Sequence, residues 1–281
     1  MMALEPVIVL VGVFSALLGL AIGSFLNVVI YRVPRALSVV HPPSACPNCA
    51  TPISARDNVP VLSWIFLRGK CRSCSHPISI RYPVVESVTS LAFLAVGLRF
   101  ASDVASAGTA GELVAALCVL AAFLYLIAIS IALAAIDIEL HRLPNAIVLP
   151  AYAVGGALLV AASLIEGDFL RFLWALAGAA GMFVFYFALA WVRPGGMGMG
   201  DVKLSGVVGL FLAFLGWAEL AVGLGAAFIL GGVAGVVLIA LKRANRKGGI
   251  PFGPWMLAGA WVGVFAGDYI ADGYLSLVGL K

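Results

Sequence analysis

The 281-residue chain is 63% hydrophobic and only 11% charged, where a soluble domain carries about 25% charged residues. That deficit excludes an ordinary soluble domain and fits a chain whose solvent is mostly lipid. The net charge of +4 is too small to imply a nucleic-acid partner.

Apolar runs long enough to cross the hydrocarbon core, about 20 residues each, recur along the chain. The first has no basic segment before it and no small-residue cleavage site after it, so it reads as a retained span. Eight transmembrane helices are expected, at about 7–30, 84–99, 113–136, 146–165, 170–192, 203–217, 219–241 and 254–272. The sixth is short, and its boundary near Trp217 and Glu219 is the least marked. The fold class is therefore an all-α polytopic membrane protein. Residues 31–83 form the one sizeable extramembrane segment, rich in Pro, Cys and Arg. No internal repeat is evident. The chain holds 32 glycines, mostly in the apolar runs, where small residues let helices approach closely.

With eight spans, the connections 31–83, 137–145, 193–202 and 242–253 fall on one side. That side holds all of the 17 Lys and Arg except Arg99, Arg171 and Lys281. Its cations run from Arg32, Arg35, Arg56, Arg68, Lys70, Arg72 and Arg81 to Arg142, Arg193 and Lys203, and end in the cluster Lys242, Arg243, Arg246 and Lys247. Such a bias marks the cytoplasmic side, which leaves both termini outside.

Four of the five cysteines form two C-x2-C pairs, Cys46/Cys49 and Cys71/Cys74. Four thiolates at this spacing can close a tetrahedral zinc site of the ribbon type. Disulfides are disfavoured on the cytoplasmic side. A site closed by four cysteines has no open position for water, so its expected role is to hold the loop's shape. His41 and His76 read as solvated loop residues rather than substitute ligands. Cys118, inside an apolar run, reads as packing.

Two aspartates sit at the cytoplasmic level. Asp137 lies at the end of the third span in AAIDIELHRLPNAIVLP, and Asp201 lies in GGMGMGDVKL just before the sixth. An ionisable residue at a membrane boundary is costly unless hydrated or useful. As a plain helix-end charge, Asp201 would make a good N-cap, whereas Asp137 would oppose the dipole of its own helix. Glu139 is on a different helical face from Asp137. Two close carboxylates share one proton and work as an acid–base unit, one taking a proton from water while the other protonates a scissile carbonyl. The glycines from Gly195 to Gly200 leave the backbone before Asp201 free to approach an extended strand.

These residues resemble the bacterial type IV prepilin peptidases, the GxGD-type aspartyl peptidases of the leader peptidase/N-methyltransferase group. The resemblance runs through Gly23-Ser24-Phe25-Leu26-Asn27-Val28-Val29-Ile30-Tyr31-Arg32-Val33-Pro34, the four cysteines, Asn58-Val59-Pro60-Val61-Leu62-Ser63-Trp64 and Ile78-Ser79-Ile80-Arg81-Tyr82-Pro83-Val84-Val85-Glu86. It continues through Asp137, Leu143-Pro144-Asn145, Gly198-Met199-Gly200-Asp201-Val202-Lys203 and Pro251-Phe252-Gly253-Pro254.

The resemblance implies cleavage of a short basic leader from type IV prepilins or type II secretion pseudopilins, with Asp137 and Asp201 as the catalytic pair. It also implies N-methylation of the new terminus with S-adenosylmethionine, a function associated with the N-terminal segment. Residues 1–100 would then be the N-terminal part with its zinc module, and 101–281 the peptidase domain of the bacterial inner membrane. Glu86, Asn27 and Arg81 are the polar positions available to hold the methyl donor, or equally to anchor span ends. Lys203 would face the aspartates or mark the interface. Asp137, Glu139 and Asp201 offer negative charge to a basic leader, whose following hydrophobic helix would lie in the lipid bilayer. Two other readings stay open: a peptidase with a purely structural N-terminal module, and a small transporter or scaffold.

Overall fold

The computed structural model of the protein describes residues 5–193, 196–241 and 251–279. The basic cluster of Lys242, Arg243, Arg246 and Lys247, with Gly195 and Lys281, lies outside the described residues. Among them the chain forms nine α-helices. In chain order they are α1 (Glu5–Arg32), α2 (Leu62–Phe66), α3 (Arg81–Ser106), α4 (Ala110–Leu140), α5 (Asn145–Glu166), α6 (Phe169–Val192), α7 (Met199–Leu215), α8 (Trp217–Ala240) and α9 (Gly253–Leu277). Short α2 belongs to the extramembrane loop, and the eight others match the eight expected spans one for one.

Six of those eight are long and apolar enough to cross a membrane: α1, α3, α4, α5, α6 and α8. The others are α7, which has only 17 residues, and α9, whose C-terminal half carries Asp268 and Asp272. The helices also outrun the apolar segments that announced them. α3 begins at Arg81, α4 continues past Asp137 to Leu140, and α7 begins at Met199. Hydropathy marks only the lipid-matched part of a helix, whereas backbone hydrogen bonding carries on into the polar zone. The break near Trp217 falls at Gly216, between α7 and α8.

The chain divides into two compact units, Met1–Ala132 and Leu133–Lys281, with the boundary inside α4. In the first, α1 and α3 pack antiparallel. The Ser90 hydroxyl donates to the Ala16 carbonyl at 2.9 Å, and a Cβ on Gly23 would come within 2.8 Å of the Glu86 Cα. Phe100 and Phe123 pack with their rings tilted by 30° and centroids 4.7 Å apart.

In the second unit two antiparallel pairs dominate, α6 with α7 and α8 with α9. Along α6 and α7, Gly178 faces Gly209, and four residues on, Ser205 Oγ donates to the Met182 carbonyl at 3.2 Å. α7 is sheathed nearly all round, with Val202 and every residue from Leu204 to Phe214 buried. Tyr152 of α5 hydrogen-bonds the Lys203 carbonyl at 2.5 Å. By contrast α1 exposes Leu10, Phe14 and Leu17, which is the surface expected toward lipid.

The α6–α7 seam yields the first prediction. A Cβ on Gly209 would sit 2.9 Å from both the Gly178 carbonyl carbon and the Met182 Cβ, whereas one on Gly225 would meet nothing within 4 Å. Gly209→Val should cost about 1–3 kcal/mol through overpacking, read as a lower unfolding midpoint in mixed detergent micelles. Gly225→Val should leave the midpoint unchanged, and equal midpoints for the two variants would contradict the seam.

Candidate active site and four-cysteine cluster

The loop between α1 and α3 closes on its cysteines. The Sγ atoms of Cys46, Cys49, Cys71 and Cys74 all lie within 4.8 Å of one another, and Cys46 and Cys74 are 3.7 Å apart. A tetrahedron with metal–sulfur bonds of about 2.3 Å has sulfur–sulfur edges of about 3.8 Å, so the donor set fits such an ion. None of the four is in a disulfide.

The two halves of the cluster are built alike. Ala50 and Ser75 both have positive φ, 56° and 58°. Their amides donate to Cys46 and Cys71 carbonyls at 2.9 Å in each case. Ile53 then donates to the Ser44 carbonyl at 2.9 Å and Ile78 to the Gly69 carbonyl at 2.7 Å. The sequence carries the same correspondence as Cys-x-x-Cys-x-x-Pro-Ile-Ser, twice, at Cys46–Ser54 and Cys71–Ser79. The expectation of no internal repeat is corrected here: a nine-residue unit is too short to show at the scale of membrane spans.

Local chemistry favours thiolates on parts of the cluster. The Thr51 hydroxyl and amide hold the Cys49 thiol down at about 6, and the Cys74 and Ser73 amides lower that of Cys71. Arg72, inside the second knuckle, grips Asp57 through Nη2 at 2.6 Å and Nε at 2.9 and 3.0 Å. The Arg72 guanidinium holds the Asp57 carboxyl below its usual range.

The aspartates come from different helices of the second unit. Asp137 lies in the last turn of α4, buried at 5% exposure, and accepts a hydrogen bond from the backbone amide of Gly253, the first residue of α9. Asp201 is the third residue of α7 rather than its N-cap, a correction to the sequence reading. Its Oδ2 accepts the Gly198 amide at 3.3 Å, the reach-back half of a capping box. The two carboxylates are within electrostatic range of each other. Leu143 wedges beside them: a Cβ on Gly200 would lie 3.0 Å from the Leu143 Cβ, and one on Gly253 would lie 2.7 Å from Asp137 Oδ2 and 3.3 Å from Leu143. Both glycines are required by close approach.

Lys203 does not point to the aspartates; its Nζ donates to Asn145 Oδ1 at 3.1 Å. In the first unit, Asn27 donates to the carbonyls of Gly23 and Tyr82 at 3.3 and 3.2 Å. Glu86 accepts the Val61 amide at 2.7 Å and a bond from Ser24. Val61 has φ +60°, a costly value for a β-branched residue, and the Glu86 carboxylate fixes it. Arg81 starts α3.

Comparison with known proteins assigns the two parts. Residues 17–100 match the family model of the bacterial peptidase A24 N-terminal domain, and residues 124–240 match that of the type IV leader peptidase family. The chain is 35% identical to a prepilin leader peptidase/N-methyltransferase of Aeromonas hydrophila, over 92% of both chains. It is 32% identical to proteins of that name from Bacillus subtilis (strain 168), over 92% of this chain and 96% of that one, and from Pseudomonas putida, over 99% and 98%. The chain belongs to the type IV leader peptidase family. No solved structure matches it.

Membership places the cysteine cluster, Asn27, Arg81 and Glu86 in the matched N-terminal domain, and both aspartates in the matched leader peptidase domain. Gly253 lies beyond the second match. Its amide was not foreseen as a partner of Asp137, although Pro251-Phe252-Gly253-Pro254 stood out as a motif. In the sequence Leu143 stands only as part of the Leu143-Pro144-Asn145 segment, with no role of its own.

The sulfur geometry predicts a spectroscopic outcome. Cobalt(II) added to metal-free protein should give intense thiolate-to-cobalt charge-transfer absorption together with the visible bands of a tetrahedral ion. Cys74→Ser should reduce the charge-transfer intensity by roughly a quarter, since one of four thiolates is lost. Weak bands of an octahedral ion would contradict a four-sulfur site.

Proposed function

We propose that this chain cleaves the basic leader from prepilins or pseudopilins with Asp137 and Asp201, and then methylates the new N-terminal amine. The observation that carries the reading is the placement of two aspartates from separate helices within electrostatic range of each other, each accepting a backbone amide, in a chain of this family. One carboxylate removes a proton from water as the water attacks the scissile carbonyl. The other gives its proton to the carbonyl oxygen. As the intermediate collapses the leaving amine takes up a proton, and the pair again shares one. No metal or covalent intermediate is needed.

The basic side of the membrane is assigned to the cytoplasm, with both termini outside, on the distribution of Lys and Arg. Asp137, Glu139 and Asp201 attract the leader, and the substrate's hydrophobic helix lies in the bilayer. Residues 1–100 carry the methyltransferase part and 101–281 the peptidase. The four cysteines hold zinc, in a closed site that shapes the loop. S-adenosylmethionine supplies the methyl group for the second reaction. Among the positions considered for it, Asn27 and Glu86 are already committed to the Tyr82 carbonyl and the Val61 amide. Their assigned task is therefore to hold the start of α3 against the loop.

The test uses full-length protein in detergent with a synthetic prepilin and S-adenosylmethionine, and mass spectrometry of the product's N-terminus. Wild type should release the leader and add a methyl mass. Asp137→Asn and Asp201→Asn should each lower cleavage by about 10²–10⁴-fold without changing the unfolding midpoint. Cleavage retained by either variant would refute the dyad. Cleavage without the methyl mass would leave a peptidase with a structural N-terminal module. Metal analysis should find one zinc per chain, and none after all four cysteines are changed to serine.

A further inference from the structure

The α6–α7 seam has a regular antiparallel register. Gly178 faces Gly209, and one turn on, Met182 accepts from Ser205. Each step of four residues toward the end of α6 matches a step of four toward the start of α7. The next step pairs Tyr186 with Asp201.

Both residues then show the same anomaly. The Tyr186 hydroxyl and the Asp201 Oδ1 are buried, and neither has a hydrogen-bond partner among the described residues. Tyr186 is completely buried, and the Asp201 carboxylate is within electrostatic range of it. A buried phenol in an apolar environment normally finds a partner. The ring is held firmly. It lies against Phe228 with centroids 5.8 Å apart and 22° between planes, against Phe252 at 5.9 Å, and edge-on to Phe185 at 5.5 Å. Phe252 immediately precedes Gly253, whose amide meets Asp137. Tyr186 therefore lies within electrostatic range of one aspartate and borders the support of the other with its ring.

We propose that Tyr186 is a positioning residue of the aspartate pair, its hydroxyl serving Asp201 Oδ1 directly or through one water. Oδ2 of Asp201 is already held by the Gly198 amide. A second bond at Oδ1 fixes the plane of the carboxyl group. A phenol both donates and accepts, so it partners Asp201 in either protonation state. That property suits a carboxyl that alternately holds and releases a proton during the reaction. A backbone amide, which only donates, cannot do this. The register, the two unpartnered atoms and the aromatic seat point to the same assignment.

The proposal rests on the dyad reading, so the test carries its own control. Tyr186→Phe, Asp201→Asn and wild type are compared on a synthetic prepilin, alongside methyl transfer to a pre-cleaved peptide. Tyr186→Phe keeps the ring stack and should lower kcat for cleavage roughly 10- to 100-fold. KM should stay within about twofold, and methyl transfer and the unfolding midpoint should be unchanged. Active Asp201→Asn would sink the dyad itself. Inactive Asp201→Asn beside a Tyr186→Phe of wild-type kcat would sink only the role of Tyr186. A loss of kcat accompanied by a lower midpoint or a proportionate rise in KM would assign Tyr186 to packing and also overturn the proposal. If Tyr186→Phe does not fold, a fluorotyrosine at 186 retains the shape and acidifies the hydroxyl. Unchanged kcat there would count against the proposal.

Discussion

Close contact between the backbones of α6 and α7 sets the position of Asp201, and with it the geometry of the candidate site. Lipid tails are as apolar as leucine, so burial of apolar surface does not by itself drive two spans together. What remains is dispersion at short range and hydrogen bonding. Gly178 and Gly209 allow the approach, and the Ser205–Met182 bond fixes its register. The consequence is visible in α7. At 17 residues it is short for a span, yet almost every side chain from Val202 to Phe214 is buried. It is enclosed by protein instead of facing lipid, so the usual demand for a lipid-matched length is relaxed.

That enclosure makes the electrostatics of the two aspartates demanding. A buried carboxylate is costly without hydrogen bonds or a partner. Both aspartates are served by helix N-termini: Asp201 from within the first turn of α7, Asp137 from the first amide of α9. Amides at a helix start carry partial positive charge and favour an anion. For Asp201 this is its own helix. For Asp137 it offsets an unfavourable place at the C-terminal end of α4. Two carboxylates within electrostatic range of each other resist ionising together, and the proposed acid–base cleavage draws on that resistance.

Much of this was legible in the sequence, for physical reasons that also explain what was not. Long apolar runs report spans because each span must cross one hydrocarbon thickness. All eight long helices, and the two cysteine knuckles, were therefore readable. Helix ends were not, since Arg81, Asp137 and Met199 are polar or follow glycines yet continue a helical ladder. The place of Asp201 shifted from cap to third residue for that reason. Lys203 offered only its charge, whereas its true partner is Asn145, fifty-eight residues away. Gly253 acts through a backbone amide, which leaves no trace in residue type. Tyr186 sits in the run Phe183-Val184-Phe185-Tyr186-Phe187 and looks like one more aromatic in an apolar helix. Its meaning depends on the register with α7, a tertiary fact.

The two units use their polar groups in contrasting ways. In Met1–Ala132, the Asn27 amide, the Glu86 carboxylate and the Arg72–Asp57 pair all tie backbone or loop in place. In Leu133–Lys281, two polar atoms with the strongest need of partners, Asp201 Oδ1 and the Tyr186 hydroxyl, have none among the described residues. Among the described residues Ser15 and Ser163 also bury a hydroxyl without a partner, but a serine can fall back on a carbonyl of its own helix one turn earlier. A tyrosine hydroxyl stands too far from its own backbone for that, and an aspartate oxygen cannot donate to a carbonyl while ionised. Among the described residues their need can be met only across the α6–α7 seam or by a molecule entering it. An unfulfilled pair of this kind costs stability, and the seam's register aligns the two atoms' residues all the same. That is the arrangement expected where a buried polar group is kept for chemistry rather than for the fold.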